Sequence, residues 1–297
     1  MRVFLTGATG FVGSAIMTEL LGSGHQVLGL TRSEAGAERL RNAGADAHLG
    51  DITDINSLRR GAEQCEGVIH TAFDHDFSRF AENCQKDARV IETLGETLKG
   101  SERPLVITSA TPMGMTAPDQ PAREDQFNPA SPNPRVASEL ASERMLQAGV
   151  NVTVVRLSQI HDTVKQGLVS DVVALARRTR VSAYVGEGLN HWSAAHVSDA
   201  ARLYRLALDK ARPGARYHAT AENALPFSQI AQAVGRGLGL PVVSLSSEEA
   251  AEQLGHLTGF VGKEMSASSE ITQRDLDWSP IGPGLIADIE AMLARAT

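Results

Sequence analysis

Cysteine, aromatic side chains and basic stretches are all scarce in this chain. Cys65 and Cys84 are the two cysteines among 297 residues. Their spacing fits no metal site, and the reading is a pair of reduced thiols rather than a disulfide framework. Eight Phe, three Tyr and two Trp form no pattern that names a ligand. No apolar run approaches the length of a membrane span. No block of Lys or Arg interrupts a net charge of −7, which argues against nucleic acid as a partner. The chain enters a strand at once, leaving no room for a signal peptide, so a cytoplasmic location is expected. No repeat and no low-complexity stretch is present. A 42% hydrophobic and 21% charged composition is that of a globular protein with a substantial core.

Glycine, in contrast, is placed with order. Arg2 to Thr6 reads as a short buried strand, and from Phe11 the apolar positions Phe11, Val12, Ala15, Ile16, Leu20 and Leu21 follow a helical period. Gly7, Gly10 and Gly13 lie between and at the start of that helix. Gly7 suits a tight turn, Gly10 lets a pyrophosphate approach the backbone, and Gly13 lets the helix pack closely on the strand. The helix N-terminus then offers free N–H groups and a positive dipole end to phosphate. Gly7, Thr9, Gly10, Phe11, Val12 and Gly13 are therefore candidate cofactor-binding residues.

Further candidates fall at the ends of later strands. Gln26–Leu30 is a second strand, followed by Thr31, Arg32 and Ser33. An acid here would bind ribose hydroxyls and favour NAD, whereas Arg32 with Ser33 fits a 2′-phosphate, so NADP is expected over NAD. A third strand, Ala45–Leu49, leads to Asp51 and Ile52, placed to meet the adenine, while Thr53 or Asp54 can cap the next helix. A fourth strand, Gly67–Phe73, ends in Thr71, Ala72 and Phe73. His75 and Asp76 follow, either as proton-handling groups or as a surface imidazole and a cap. After a long helix at about 79–99, a fifth strand, Pro104–Thr111, carries Ser109 at its end. Met113–Pro134 reads as a long loop over the site. A helix at about 134–148 and a strand at 151–156 complete the run.

Strands alternating with helices imply an α/β fold, a Rossmann-type doubly wound parallel sheet. The dinucleotide-binding domain is placed at 1–160, with a late strand near 216–220 returning to it. A smaller substrate-binding lobe is placed at 161–297.

These residues resemble the extended short-chain dehydrogenase/reductase family, the NAD-dependent epimerase/dehydratase group. Thr6–Gly13 is similar to its nucleotide motif, and Gly50-Asp51, His70–Ala72, Ile107–Ala110 and Trp192–Asp199 are similar to its later landmarks. The resemblance implies a catalytic Ser at Ser109 and a Tyr-x-x-x-Lys pair opening the helix near residue 134. Arg135 stands in the place of the Tyr and Glu139 in that of the Lys. Arg135 stays protonated and is a poor general acid, and Glu139 cannot supply a lysine's charge. One-turn spacing would allow an Arg135–Glu139 pair. Ser109, Arg135 and Glu139 are the catalytic candidates of an atypical member.

The resulting expectation is an NADP(H)-dependent oxidoreductase reducing a small-molecule carbonyl with a non-standard proton relay, drawing on water, His75 or Tyr184. A catalytically inactive NADP-binding sensor and a sugar-nucleotide epimerase or dehydratase are the alternatives. In the resembling family the helices at 79–99 and 134–148 commonly form a dimer, which makes a homodimer a candidate assembly.

Overall fold

The computed structural model describes residues 1–118 and 120–295, except the side chain of His256. The chain opens with β1 (Arg2–Thr6), α1 (Phe11–Gly22), β2 (Gln26–Thr31), α2 (Glu34–Asn42), β3 (Asp46–Leu49) and α3 (Ile55–Glu63). It continues through β4 (Gly67–His70), α4 (Phe80–Leu98), β5 (Leu105–Ala110), α5 (Val136–Gln147) and β6 (Val152–Leu157). Then come β7 (Gln159–His161), α6 (Leu168–Thr179), β8 (Ser182–Val185), β9 (His191–His196), α7 (Val197–Lys210) and β10 (Arg216–Ala219). The last part holds β11 (Glu222–Pro226), α8 (Phe227–Leu238), β12 (Val242–Leu245), α9 (Ser247–Gln253), α10 (Thr258–Val261), α11 (Glu270–Leu276) and α12 (Leu285–Ala294).

Seven strands form one parallel sheet in the order β10-β6-β5-β4-β1-β2-β3. Both faces are covered, which is why the strands read as nearly continuous apolar runs. Alternation sorts their side chains between layers. Val3 and Leu5 of β1, with Val106 of β5, join the core under α1 and α7. Phe4, Leu105 and Ile107 join the core under α3, α4 and α5. The strand order reverses between β1 and β4, and the crevice outside their carboxyl ends is where such a sheet accepts ligands.

A separate apolar cluster joins α6, α8 and α12 around Val172, Trp192, Phe227, Ile230, Leu285 and Ile289. Two small sheets serve it, β11-β9-β7 and β12-β8. The sequence pattern predicts only a turn-rich segment across Ala183–Trp192, where the structure has β8 and the start of β9. Each strand is short, and β11 joins β9 through a register shift between Glu222 and Leu225 that breaks simple alternation. His161 of β7 bonds Asp288 of α12 at 2.7 Å, with both side chains buried. Cys65 and Cys84 are free and buried, and burial pushes both thiols up to about 11. Among the described residues no helix is long and apolar enough to cross a membrane.

Candidate functional site

The glycine turn shows why each glycine is needed. Gly7 has φ +73°, a left-handed conformation that favours glycine. A Cβ there would also lie 2.7 Å from Thr71 Oγ1 and 2.8 Å from the Ala72 nitrogen. A Cβ on Gly13 would sit 2.0 Å from the Gly7 carbonyl oxygen, so the helix rests directly on the turn. At Gly10 a Cβ would meet only that same oxygen, at 3.1 Å, and otherwise would point into open space. Gly10 is the N-cap of α1, and no side chain caps the helix. The first N–H groups of Phe11 and Val12 are thus left for an anion.

At the carboxyl end of β2, the Ser33 hydroxyl accepts from the Gly36 nitrogen at 3.1 Å and caps α2. Arg32 beside it is exposed. Asp51 folds into a local turn, with one carboxylate oxygen accepting from the Thr53 nitrogen at 2.8 Å and its hydroxyl at 2.7 Å. Burial raises the Asp51 carboxyl, but the Thr53 bonds and the Arg32 charge outweigh it and hold it below its ordinary value. Asp54 is the residue that caps α3. Ile52 packs on the core beneath.

The crevice between β1 and β4 is built on a buried hydrogen-bond chain. β4 ends at His70, earlier than the sequence pattern suggests, because Thr71 and Ala72 turn their N–H groups to the Thr6 hydroxyl at 3.2 and 3.3 Å. Thr71 Oγ1 donates to the Thr6 carbonyl at 2.8 Å. With two N–H groups already donating to it, the Thr6 hydroxyl gives its own proton to His70 Nδ1, 2.6 Å away. His70 Nε2 then donates to Asp87 Oδ1 at 3.0 Å. The other Asp87 oxygen accepts from Arg135 at 3.1 Å and from the Ser138 hydroxyl at 2.6 Å. Burial raises Asp87, yet the Arg135 charge and the His70 and Ser138 bonds hold its carboxyl below the usual range.

Arg135 also donates to the Thr108 carbonyl at 2.8 Å, and its guanidinium stacks 4.1 Å over the Phe73 ring. It is 8% exposed. Next to Thr108, Ser109 is 3% exposed, and its hydroxyl has no hydrogen-bond partner. Buried polar groups are nearly always paired, so this unpartnered hydroxyl is a candidate to contact a ligand.

Glu139 does not join this group, and the pair with Arg135 suggested by their spacing is not formed. Glu139 is fully buried and receives a two-pronged contact from Arg156, at 2.8 and 2.7 Å. Arg216 adds a third bond at 3.2 Å. This corrects the pairing read from the spacing, since the Glu139 oxygens are occupied by Arg156 of β6 and Arg216 of β10. The loop at 113–134 differs from a free lid for a related reason. Arg156 donates to the Arg123 carbonyl at 3.1 Å, and Glu124 is 3% exposed and accepts from the Thr272 nitrogen at 2.9 Å. Asp119 of this loop lies outside the described residues.

A wall of rings continues outward from Arg135. Phe73 meets His75 at 5.2 Å and Phe80 at 6.2 Å between ring centres. Phe77 meets Phe80 at 5.6 Å and Phe260 of α10 at 5.8 Å. His75 is exposed, and Asp76 serves as a cap, accepting from the Ser78 nitrogen at 3.0 Å rather than pairing with it. Tyr184 packs against the separate cluster of α6, α8 and α12.

Sequence reasoning met Thr6 and His70 only as landmarks, without a role, and missed Asp87 and Ser138. One signal was available for Asp87. It sits with Cys84, Ala88 and Ile91 on the apolar stripe of α4, where a carboxylate demands a partner.

The uncapped helix end, the cleared space at Gly10 and the exposed arginine fit a dinucleotide. The profile of the NAD dependent epimerase/dehydratase family matches residues 3–220. An uncharacterized protein of Schizosaccharomyces pombe is 43% identical over 97% of this chain and 98% of its own length. Another from Saccharomyces cerevisiae is 37% identical over 98% of each. A dTDP-glucose 4,6-dehydratase from Streptomyces venezuelae, solved with NAD bound, superposes with a TM-score of 0.78 at 18% identity, over 99% of this chain and 96% of that one. The glycine turn, the ordered strand-end landmarks and the matching profile together make this chain a member of the NAD-dependent epimerase/dehydratase family, whose members bind NAD(P).

Proposed function

We propose that this chain binds NADP(H) along the carboxyl edge of its sheet and reduces a carbonyl group of a small molecule. The observation that carries the reading is the Ser109 hydroxyl, buried and without a partner, one residue along β5 from the Thr108 carbonyl that Arg135 holds. A hydroxyl donor and a fixed cation suit an oxygen that gains negative charge. Bound NADPH supplies the hydride. Asp87 keeps Arg135 oriented, and Phe73 holds its plane. An arginine does not release its proton near neutral pH, so the proton comes from solvent or from His75 at the exposed end of the ring wall. Phe73, Phe77, Phe80 and Phe260 give the body of the substrate an apolar surface. An epimerase or dehydratase needs a strong base in this region, and Arg135 and Glu139 occupy those places as a held cation and an ion-paired carboxylate.

The NADP assignment rests on Arg32 and Ser33, with Asp51 turned to its own loop. Gly7, Thr9, Gly10, Phe11, Val12, Gly13, Ile52, Thr71, Ala72 and Phe73 line the remainder of the proposed groove. The test is a fluorescence titration with NADPH and NADH, on the native chain and on Arg32→Ala. At least tenfold tighter NADPH binding, lost in Arg32→Ala, assigns about 1.4 kcal/mol to the 2′-phosphate contact. Equal binding of both removes the NADP assignment. Binding of neither removes the function. A carbonyl-reductase screen with NADPH follows, and binding without turnover on any carbonyl favours the sensor alternative.

A further inference from the structure

We propose that Lys165, from the loop between β7 and α6, is the cation that neutralises the dinucleotide pyrophosphate at the glycine turn. The inference rests on the NADP(H) reading above and adds a residue from outside the nucleotide motif. Residues 7–14 of the turn carry no charged side chain. Backbone N–H groups alone would therefore face two phosphate charges in a protein of net charge −7.

Lys165 reaches the right place. Its Nζ lies 5.8 Å from the ring centre of Phe11, the first residue of α1. Phe11 and Val12 carry the N–H groups left free at that helix end. Lys165 is exposed and makes no ion pair among the described residues. Its loop is held as if to present it. Asp162 Oδ1 accepts from the nitrogens of Val164 at 2.6 Å and Lys165 at 2.7 Å. The Asp162 nitrogen donates back to the Lys165 carbonyl at 2.9 Å. The Gln166 side chain donates to the Asp162 carbonyl, and the Gln159 side chain donates to the Gln166 carbonyl. Gly167, with φ +48° and a Cβ position only 2.5 Å from Gln159 Nε2, closes the loop onto α6. A fixed backbone lowers the entropy lost when a ligand orders this side chain. A compact ammonium acts as a point charge for phosphate.

The experiment titrates the full chain, Lys165→Met and Lys165→Arg with three probes. NADPH and 2′-phospho-ADP-ribose carry the pyrophosphate, and adenosine 2′-phosphate does not. Lys165→Met is expected to weaken the first two about tenfold and leave the third unchanged, with Lys165→Arg keeping most of the affinity. The loss should shrink at about 0.5 M salt, where the Debye length falls to a few ångströms. Unchanged NADPH binding by Lys165→Met overturns the proposal, and so does equal weakening of all three probes. Absence of NADPH binding by the native chain instead removes the NADP reading, and this inference with it.

Discussion

Arg135 donates to Asp87 across 3.1 Å, from the residue before α5 to the middle of α4, 48 positions earlier. Both side chains are buried, at 8% and 3% exposure. The same carboxylate fixes Ser138 and, through His70 and Thr6, the backbone at the end of β4. One acid therefore ties the residue in the place of the missing tyrosine to the glycine turn.

Removing one partner of a buried pair leaves the other charge stranded. Asp87→Ala is expected to cost about 3–5 kcal/mol of stability in urea unfolding. Arg135→Ala should cost a comparable amount, and the double variant should cost clearly less than the sum. Additive losses would show that the two residues act independently.

Ser109→Ala separates function from stability. The hydroxyl has no partner to lose, so the variant should be as stable as the native chain or slightly more so. Turnover on a carbonyl substrate should fall about 100-fold with NADPH affinity unchanged. Unchanged turnover would remove Ser109 from the chemistry.

The glycines of the turn predict two different failures. Gly13→Ala forces a Cβ to 2.0 Å from the Gly7 oxygen. Its destabilisation should exceed about 3 kcal/mol, the size reserved for severe overpacking or strain. Gly10→Ala meets its neighbour at 3.1 Å and should fold. Its defect should appear in binding, at least tenfold for NADPH. Normal NADPH affinity in folded Gly10→Ala would mean that the phosphates do not approach there.

His218 predicts acid sensitivity. It is fully buried, its Nδ1 lies 2.8 Å from the Ser268 carbonyl, and Arg156 sits 3.2 Å from its other nitrogen. Burial, then the Arg156 charge, lowers it from 6.5 to about 3. The unfolded chain therefore takes up the proton first as pH falls. The stability tied to the neutral ring is whole above pH 6.5 and is lost down to about pH 3. Between pH 7 and 5 the native chain should lose about 2 kcal/mol more than His218→Gln. Parallel curves for the two proteins would refute this.

The resemblance implies a catalytic role for Ser109, and the sequence has Arg135 at the position of the family's tyrosine, but neither shows what Arg135 touches. A spacing of one helical turn suggests Glu139, while the structure gives Arg135 to Asp87 and Glu139 to Arg156 and Arg216. Helical spacing reports which side chains share a face, and it carries no information about a charge brought in from another element. The ring wall was hidden in the same way. Phe73, Phe77 and Phe80 lie near one another in the chain, but Phe260 reaches them only because α10 folds back over the site.

The first fifteen residues determined a great deal by themselves. Apolar period, turn glycines and helix start are short-range signals, and they set the strand, the turn and the uncapped helix end whatever follows. The alternation of strands and helices likewise set the parallel sheet, because right-handed crossovers leave few other arrangements. Tertiary structure alone decided the partners of the buried charges, the pinning of the 113–134 loop and the approach of Lys165 to Phe11. Those contacts join residues far apart in the chain, and their pairing follows from burial, where each charge must take whichever partner the packed elements bring within reach.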